Sequence, residues 1–282
     1  FKVDFLDRDD QEMVRFIYEA AALCAKYHMM LDYHGVFKPT GLQRTYPNVL
    51  NYEGVFGLEQ MKWSPESVDM VKHDVTLPFT RMLAGPMDYT QGAMRNAAKG
   101  NYFPVNSEPM SQGTRCHQLA TYVIFDSPFN MLCDAPTNYM REEECTRFIS
   151  AIPTVWDETV ALAGEVAQYV AIARRSGSDW YVGALTNWDA RELTLDLGFL
   201  GEGNYKMELF RDGIEKCGGG DLVWGALLPE QAQVAGHGTF PDHVQAGGFQ
   251  MIGKFLEFWE VVFFTALPQG AAPGEDGGNG VG

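Results

Sequence analysis

The sequence has few cysteines, few basic residues and no long hydrophobic run, and each of these shortages excludes a class of protein. Its five cysteines form no Cys-x-x-Cys pair, which removes the support for a zinc site or a thioredoxin-type redox centre. Lysine and arginine total 21 against 37 acidic residues, and the net charge of −16 argues against nucleic acid or an anionic membrane as a partner. The apolar stretch at residues 255–267 is too short to span a bilayer and contains two glutamates, so no membrane insertion is predicted.

Several enzyme signatures are also absent. The sequence contains no Gly-x-Ser-x-Gly, His-Glu-x-x-His, P-loop or dinucleotide fingerprint, so serine hydrolases, zincins and nucleotide-binding enzymes lose their support. What is present is a chain of 282 residues, 46% hydrophobic and 13% aromatic, which is long enough to bury a substantial core. An acidic, aromatic-rich surface suits a neutral ligand such as a sugar.

Short apolar runs alternate with helical patterns over the first 150 residues, which predicts an α/β fold. Each predicted strand ends in polar or acidic residues, as at the active-site face of a (β/α)8 barrel, so the pattern fits the second half of a TIM barrel. A doubly wound sheet would show similar alternation. The predicted strands are 2–6, 29–33, 49–52, 86–89 and 130–133, and the predicted helices are 14–24, 75–83 (with Pro78 in its first turn), 113–125 and 142–149.

The pattern changes near Pro153. Strand-like runs separated by turn signals follow, at residues 154–162, 166–174, 180–187, 193–197 and 205–210, and their spacing predicts an antiparallel sandwich-like domain. Beyond residue 216 no clear period is found. The predicted domains are therefore a partial barrel at 1–152, an incomplete all-β sandwich-like domain at 153–215 and an irregular tail at 216–282.

Carboxylates at the predicted strand ends are the candidates for chemistry. Cleavage of a glycosidic bond needs two carboxyl groups that flank the scissile bond. His34 also follows a strand, where it would bond a sugar hydroxyl, ligate a metal or simply bond within its loop. Spacing does not decide which of the carboxylates acts; the candidates are Asp4, Asp7, Asp32, Glu53, Glu59, Asp88 and Asp134.

The stretch YHGVFKPTGLQRTYPNVLNYEGVFGLEQ, residues 33–60, resembles glycoside hydrolase family 97, a family of bacterial α-glucosidases and α-galactosidases. The blocks KVDFLDRDDQ, LPFTRMLAGPMDYTQGAMRN and WYVGALTNWDARELTLDLGFL agree with the same family in the same order. The resemblance covers about residues 1–213. It implies an N-terminal β-sandwich, a central (β/α)8 barrel and a C-terminal sandwich-like domain, of which this chain would carry the later barrel strands and the C-terminal domain.

The resemblance also implies a mechanism. Inverting members of the family carry His-Glu where this sequence has His34-Gly35, whereas retaining members carry an aspartate nucleophile at the position of Asp4. Glu59 matches the general acid/base, so Asp4 and Glu59 are the expected catalytic pair of a retaining α-galactosidase. The alternatives are an α-glucosidase, an inactive fragment or carbohydrate-binding remnant, and an α/β enzyme that is not a glycosidase.

The remaining expectations concern the cofactor, the substrate and the location. Glu53 matches a calcium-ligand glutamate and Glu59 is expected to share the ion, while His34 and Lys38 are expected to bind an oligosaccharide or α-galactoside substrate. Some calcium ligands of the family come from an N-terminal domain expected elsewhere in a longer polypeptide, and Gly35 removes another, which weakens the expectation of calcium binding by this chain alone. A periplasmic or secreted location is expected for the full-length protein.

Overall fold

The computed structural model describes residues 1–201 and 203–212, and beyond these the strand segments 220–224, 233–234, 244–246, 250–255 and 260–266. Within them the fold is mixed α/β: a small parallel sheet with helices comes first and larger, mainly antiparallel sheets follow. No helix in these ranges is long and apolar enough to cross a membrane.

The first sheet contains three parallel strands in the order β1 (Lys2–Val3), β2 (Leu31–Tyr33) and β3 (Val49–Tyr52). Helix α1 (Gln11–Lys26) connects β1 to β2, and the Asp10 side chain caps it by accepting the Met13 N–H. Its periodic apolar face buries Ile17 and Ala21 against the sheet. All three strands were predicted from the sequence, because each lies in a short run with β-branched or aromatic residues that stops at a turn signal.

The segment between β3 and residue 112 differs most from the sequence-based prediction. The helix predicted at 75–83 is wrong: α3 (Met70–Asp74) ends before it, and two 3₁₀ turns, Leu77–Phe79 and Arg81–Ala84, take its place. Pro78 cannot donate a helical hydrogen bond, and Thr80 leaves helical geometry at φ −128°, ψ −83°. Further short elements are α2 (Leu42–Thr45), a 3₁₀ helix at Leu58–Lys62 and the paired strands β4 (Asn96–Ala97) and β5 (Ser111–Gln112).

The strands predicted at 86–89 and 130–133 are also not observed. The first segment instead runs beside β3 through an isolated hydrogen bond, in which the Asp88 N–H donates to the Tyr52 carbonyl at 2.9 Å. It also bonds to the loop after the next helix, where Met87 N–H donates to the Asp126 carbonyl. The backbone of residues 86–89 lacks the consecutive hydrogen-bonded pairs that define a β-ladder.

Helix α4 (Arg115–Ile124) is the central helix of the chain, and every residue from 116 to 124 is buried. It packs on the larger sheet at Gly183, where an added Cβ would lie 2.9 Å from Val123 Cβ and 3.1 Å from the Ala120 carbonyl oxygen. Glycine thus permits the close approach of helix and strand. Two short helices follow, α5 (Pro136–Arg141) and α6 (Glu143–Ala151); α5 was not predicted.

The C-terminal part consists of a seven-stranded sheet and a three-stranded sheet. The larger has the order β11-β10-β15-β8-β7-β6, with β13 also pairing with β10, and the smaller has the order β12-β14-β9. Strands β6 to β10 confirm the runs predicted after residue 153, whereas five further strands lie in the segment predicted to be irregular. The bounds are β6 Glu158–Glu165, β7 Tyr169–Ser176, β8 Asp179–Thr186, β9 Arg191–Asp196, β10 Gly203–Asp212, β11 Gly220–Trp224, β12 Gln233–Val234, β13 Val244–Ala246, β14 Gln250–Phe255 and β15 Glu260–Ala266.

The two faces of the larger sheet bury different clusters. One face, with Ile172 and Tyr181, joins the cluster that contains α4, and the other, with Trp180 and Val182, packs with Leu195 of β9. The alternation of inward-facing residues along β7 and β8 therefore serves two cores at once, which explains why both strands are apolar at nearly every position.

Candidate active site

The three parallel strands each deliver one candidate residue to the same edge of the sheet. Asp4 follows β1, His34 follows β2 and Glu53 follows β3, so all three lie at the carboxyl ends of neighbouring strands. Because parallel strands end at a common edge, residues distant in sequence come together there.

His34 lies in a buried network of carboxylates. Its Nε2 is 2.7 Å from Asp88 Oδ2 and 3.2 Å from Asp32 Oδ2, and all three side chains are almost fully buried. Burial alone would lower the pKa of His34, but the two carboxylates outweigh it and raise that pKa to about 10. The pKa of Asp88 is raised because the carboxyl is buried, in spite of its bond to His34. His34 is therefore held as an imidazolium.

The same three side chains are close enough to one another to hold a metal ion. In a tetrahedral site the ligand atoms would be separated by about 3.3 Å, given metal–nitrogen bonds near 2.0–2.1 Å. The 2.7 Å between His34 Nε2 and Asp88 Oδ2 is instead the length of a charge-assisted hydrogen bond. We therefore assign the network to positioning His34 rather than to metal binding.

Glu53 lies on the other side of the imidazole. Its Oε2 accepts the Gly35 N–H at 2.7 Å and lies 3.6 Å from His34 Nδ1. Its backbone is also fixed, because the buried Arg81 guanidinium donates to the carbonyls of Glu53, Gly54 and Tyr52. The Glu53 carboxylate is thus held in one orientation by both backbone and side-chain contacts.

Asp4 is held by Lys2 and by its own loop. Lys2 Nζ lies 2.8 Å from Asp4 Oδ2, and the Phe5 N–H donates to Oδ1 at 2.7 Å. Partial burial would raise the pKa of Asp4, but the contacts with Lys2 and Phe5 outweigh it and lower that pKa. Asp4 is consequently an ionised carboxylate at neutral pH.

Gly35 leaves room for this carboxylate. A Cβ at position 35 would lie 3.1 Å from Asp4 Oδ1 and 2.9 Å from the Phe5 backbone nitrogen, and φ is +51°. A side chain at position 35 and the Asp4 carboxylate would therefore compete for the same space. Position 35, where the sequence resemblance led us to expect the difference between the inverting and retaining mechanisms, therefore lies beside the expected nucleophile.

Glu59 lies at the mouth of an adjoining cavity. It is in the first turn of the 3₁₀ helix rather than in a loop, and its Oε1 is 3.0 Å from Lys62 Nζ. The cavity has a volume of about 190 Å³, and its wall includes Lys2, His34, Glu59, Lys62 and Asp134. Its wall combines these charged groups with apolar side chains such as Leu58 and Met61, a mixture that suits a sugar ligand.

The predicted site residues fall into two groups. His34 and Glu59 line the same cavity, with Asp4 joined to it through Lys2, and Glu53 packs behind His34. Lys38, in contrast, is exposed, and the wall formed by the described residues does not include it. Lys2 was not among the site residues predicted from the sequence. The signal was its position two residues before Asp4, because side chains two positions apart on an extended chain point to the same face.

Comparisons with known proteins indicate the family. The chain matches two family models, "Glycoside hydrolase 97" at residues 1–55 and "Glycosyl-hydrolase 97 C-terminal, oligomerisation" at residues 155–239. It is 65% identical over 214 residues to a retaining alpha-galactosidase of Bacteroides thetaiotaomicron, a match that covers 76% of this chain and 32% of that protein. A probable retaining alpha-galactosidase of Streptomyces bingchenggensis is 31% identical over 252 residues, covering 89% and 35%.

A solved structure has a similar fold. The family 97 enzyme of Pseudoalteromonas sp. strain K8, in complex with acarbose, superposes with a TM-score of 0.73 at 30% identity, covering 92% of this chain and 38% of that one. The matched family models and relatives thus place the chain in the class of the glycoside hydrolases. Within it, the chain belongs to glycoside hydrolase family 97. The chain spans about a third of the length of the curated relatives that it matches.

Proposed function

We propose that this chain supplies the catalytic groups of a retaining α-galactosidase, with Asp4 as nucleophile and Glu59 as general acid/base. The observation that carries the proposal is the closeness of position 35 to Asp4, because a Cβ at position 35 would lie 3.1 Å from Asp4 Oδ1 and would compete with that carboxylate for space. The high identity to a protein named retaining alpha-galactosidase supports the galactoside as substrate. The three parallel strands would then belong to the later part of a (β/α)8 barrel, and the larger sheets to a sandwich-like domain.

The proposed reaction uses the two carboxylates in two successive displacements. Asp4 attacks the anomeric carbon while Glu59 protonates the departing glycosidic oxygen, so that the bond to the leaving group breaks and an ester to Asp4 forms. Glu59 then takes a proton from water, the water oxygen attacks the same carbon, and Asp4 leaves as a carboxylate. Each displacement inverts the centre, so the two together retain its configuration.

The cations around Asp4 favour this role. Lys2 and the Phe5 N–H keep the carboxylate ionised and fix its orientation, which an attacking oxygen requires. His34, held by Asp32 and Asp88, presents a fixed positive ring to the cavity, where it would donate to a sugar hydroxyl. For Lys38 we propose a contact with a more distant part of the substrate, since it lies on the exposed surface.

Calcium fits the donor chemistry of this edge. Glu53 and Glu59 offer carboxylate oxygens, the ligands that calcium prefers, and Glu53 Oε2 is already oriented by the Gly35 N–H. These two residues would hold the ion together with oxygens from elsewhere in the polypeptide. When bound, calcium would supply positive charge that orients substrate hydroxyls.

The test uses the protein at its full encoded length. Asp4→Asn should lower kcat for an aryl α-galactoside by roughly 10³-fold or more, because the nucleophile is lost. The matched control is Asp7→Asn, a nearby exposed aspartate, which should leave kcat unchanged. Azide should rescue Asp4→Gly and give a β-galactosyl azide, and proton NMR should show the α-anomer released first. First release of the β-anomer would contradict the retaining mechanism.

A further inference from the structure

A second cleft, with a volume of about 280 Å³, contains an unusual concentration of arginine for so acidic a chain. Arg95, Arg115 and Arg141 line it, and the single acidic residue in its wall is Glu142. The chain as a whole has a net charge of −16. A local excess of guanidinium groups on such a background points to an anionic ligand.

The three arginines are not equally engaged. Arg115 is fixed, because its Nη2 lies 2.7 Å from Glu142 Oε1 and its Nε donates to the Met94 carbonyl. Arg95 reaches only the exposed Glu108, at 3.8 Å. Arg141 ends α5, is exposed and has no ion pair with any residue that the structure describes. Two guanidinium groups thus remain available for an oxyanion, which the planar fork of arginine binds through paired hydrogen bonds.

The cleft adjoins the catalytic cavity. Asp134 lines that cavity and accepts a hydrogen bond at 2.6 Å from Asn138, which lines the cleft. Ser111 of the cavity is likewise bonded at 2.7 Å to Asn96 of the cleft. Residues of the two walls are therefore hydrogen-bonded to each other, so the cleft lies directly beside the cavity.

We propose that this cleft binds an anionic substituent, a carboxylate or a sulfate ester, on the sugar unit next to the galactoside being cleaved. The inference rests on the proposed function and narrows its substrate class to acidic α-galactosides. Arg95 and Arg141 supply the charge-assisted hydrogen bonds, and Arg115 forms the rigid floor between them.

The experiment measures binding rather than turnover, by isothermal titration of the protein at its full encoded length. The probes are α-1,4-galactosyl-galacturonate, an α-galactobiose sulfated on its reducing unit, neutral α-galactobiose and inorganic sulfate, all at one ionic strength. We expect the two acidic disaccharides to bind about tenfold more tightly than the neutral one, the effect of one charge-assisted contact. Arg95→Gln combined with Arg141→Gln should abolish that preference, and Arg141→Gln alone should reduce it. Arg147→Gln, an exposed arginine on the neighbouring helix α6, is the matched control and should preserve it.

Several outcomes separate the possibilities. If only one acidic probe is preferred, its anionic group is the one that the cleft binds, and the proposal is supported. Equal affinity for acidic and neutral probes, or a preference that survives the double substitution, would overturn the proposal. Inorganic sulfate binding as tightly as the sulfated disaccharide would also overturn it, because the site would then take a free anion. Because no step depends on hydrolysis, a protein that shows the preference but cleaves no α-galactoside contradicts the proposed function alone.

Discussion

Replacement of Gly35 by alanine should destabilise the chain through two separable effects. The residue has φ of +51°, a region that costs a side-chain-bearing residue about 1–2 kcal/mol. In addition, the new Cβ would approach the Phe5 nitrogen to 2.9 Å and Asp4 Oδ1 to 3.1 Å, so the loop after β1 must move. Overpacking of this kind costs about 1–3 kcal/mol. The expected loss in free energy of unfolding is therefore about 2–5 kcal/mol.

Gly177→Ala is a matched control for the backbone term. Gly177 has φ of +60° in the β7–β8 turn, and nothing lies within 4 Å of the position its Cβ would take. Gly177→Ala should lower the free energy of unfolding only by the backbone cost of about 1–2 kcal/mol. The free energies of unfolding of the two variants should therefore differ by about 1–3 kcal/mol, the cost of overpacking at position 35. Urea unfolding followed by circular dichroism and tryptophan fluorescence measures both, with m-values compared to confirm the same transition. Equal losses in the two variants would refute the claim that Gly35 and Asp4 compete for space.

Three other perturbations test the surroundings of the site. Arg81→Met removes a buried guanidinium that donates to five backbone carbonyls and should cost about 3–5 kcal/mol in urea unfolding; a loss below 1 kcal/mol would contradict the role assigned to it. Asp74→Asn leaves one acceptor oxygen for the Tyr89 hydroxyl and the His117 ring, so one of the two buried bonds is lost and the change should cost about 1–3 kcal/mol, seen as a lower urea midpoint. Because folding raises the pKa of His34 to about 10, the protonated ring stabilises the fold fully below about pH 6.5, and this stabilisation is lost as the pH rises towards about 10. The free energy of unfolding of His34→Gln should therefore fall less than that of the unsubstituted protein over this range.

Features carried by local sequence were predictable. Helix α1 follows from a capping aspartate and apolar residues at helical spacing, and strands β7 and β8 follow from apolar runs around the Ser-Gly-Ser turn. The polar residues after β1, β2 and β3 also indicated the edge where Asp4, His34 and Glu53 meet. These predictions succeeded because each depends on neighbours within about ten residues.

Features that depend on tertiary contacts were not predictable. The bond between His34 and Asp88 joins positions 54 residues apart, and its strength comes from burial that the sequence does not display. The missed strands after residue 216 show the same limit, because β15 is defined by its partners β8 and β10 and not by its glycine-rich flanks. The failed helix at 75–83 has a different cause, since one proline outweighed a favourable apolar pattern.

The position of β15 has a consequence for the order in which the chain acquires its structure. This strand lies between β8 and β10 in the seven-stranded sheet, and Phe264 pairs with Trp180 although a large part of the chain separates them. During synthesis, β8 and β10 emerge from the ribosome well before the strand that joins them. Until it arrives, each has an open edge that another chain can pair with, which is the usual beginning of aggregation. Yield in a heterologous host should thus depend on translation speed and chaperone supply more than on the stability of the finished sheet.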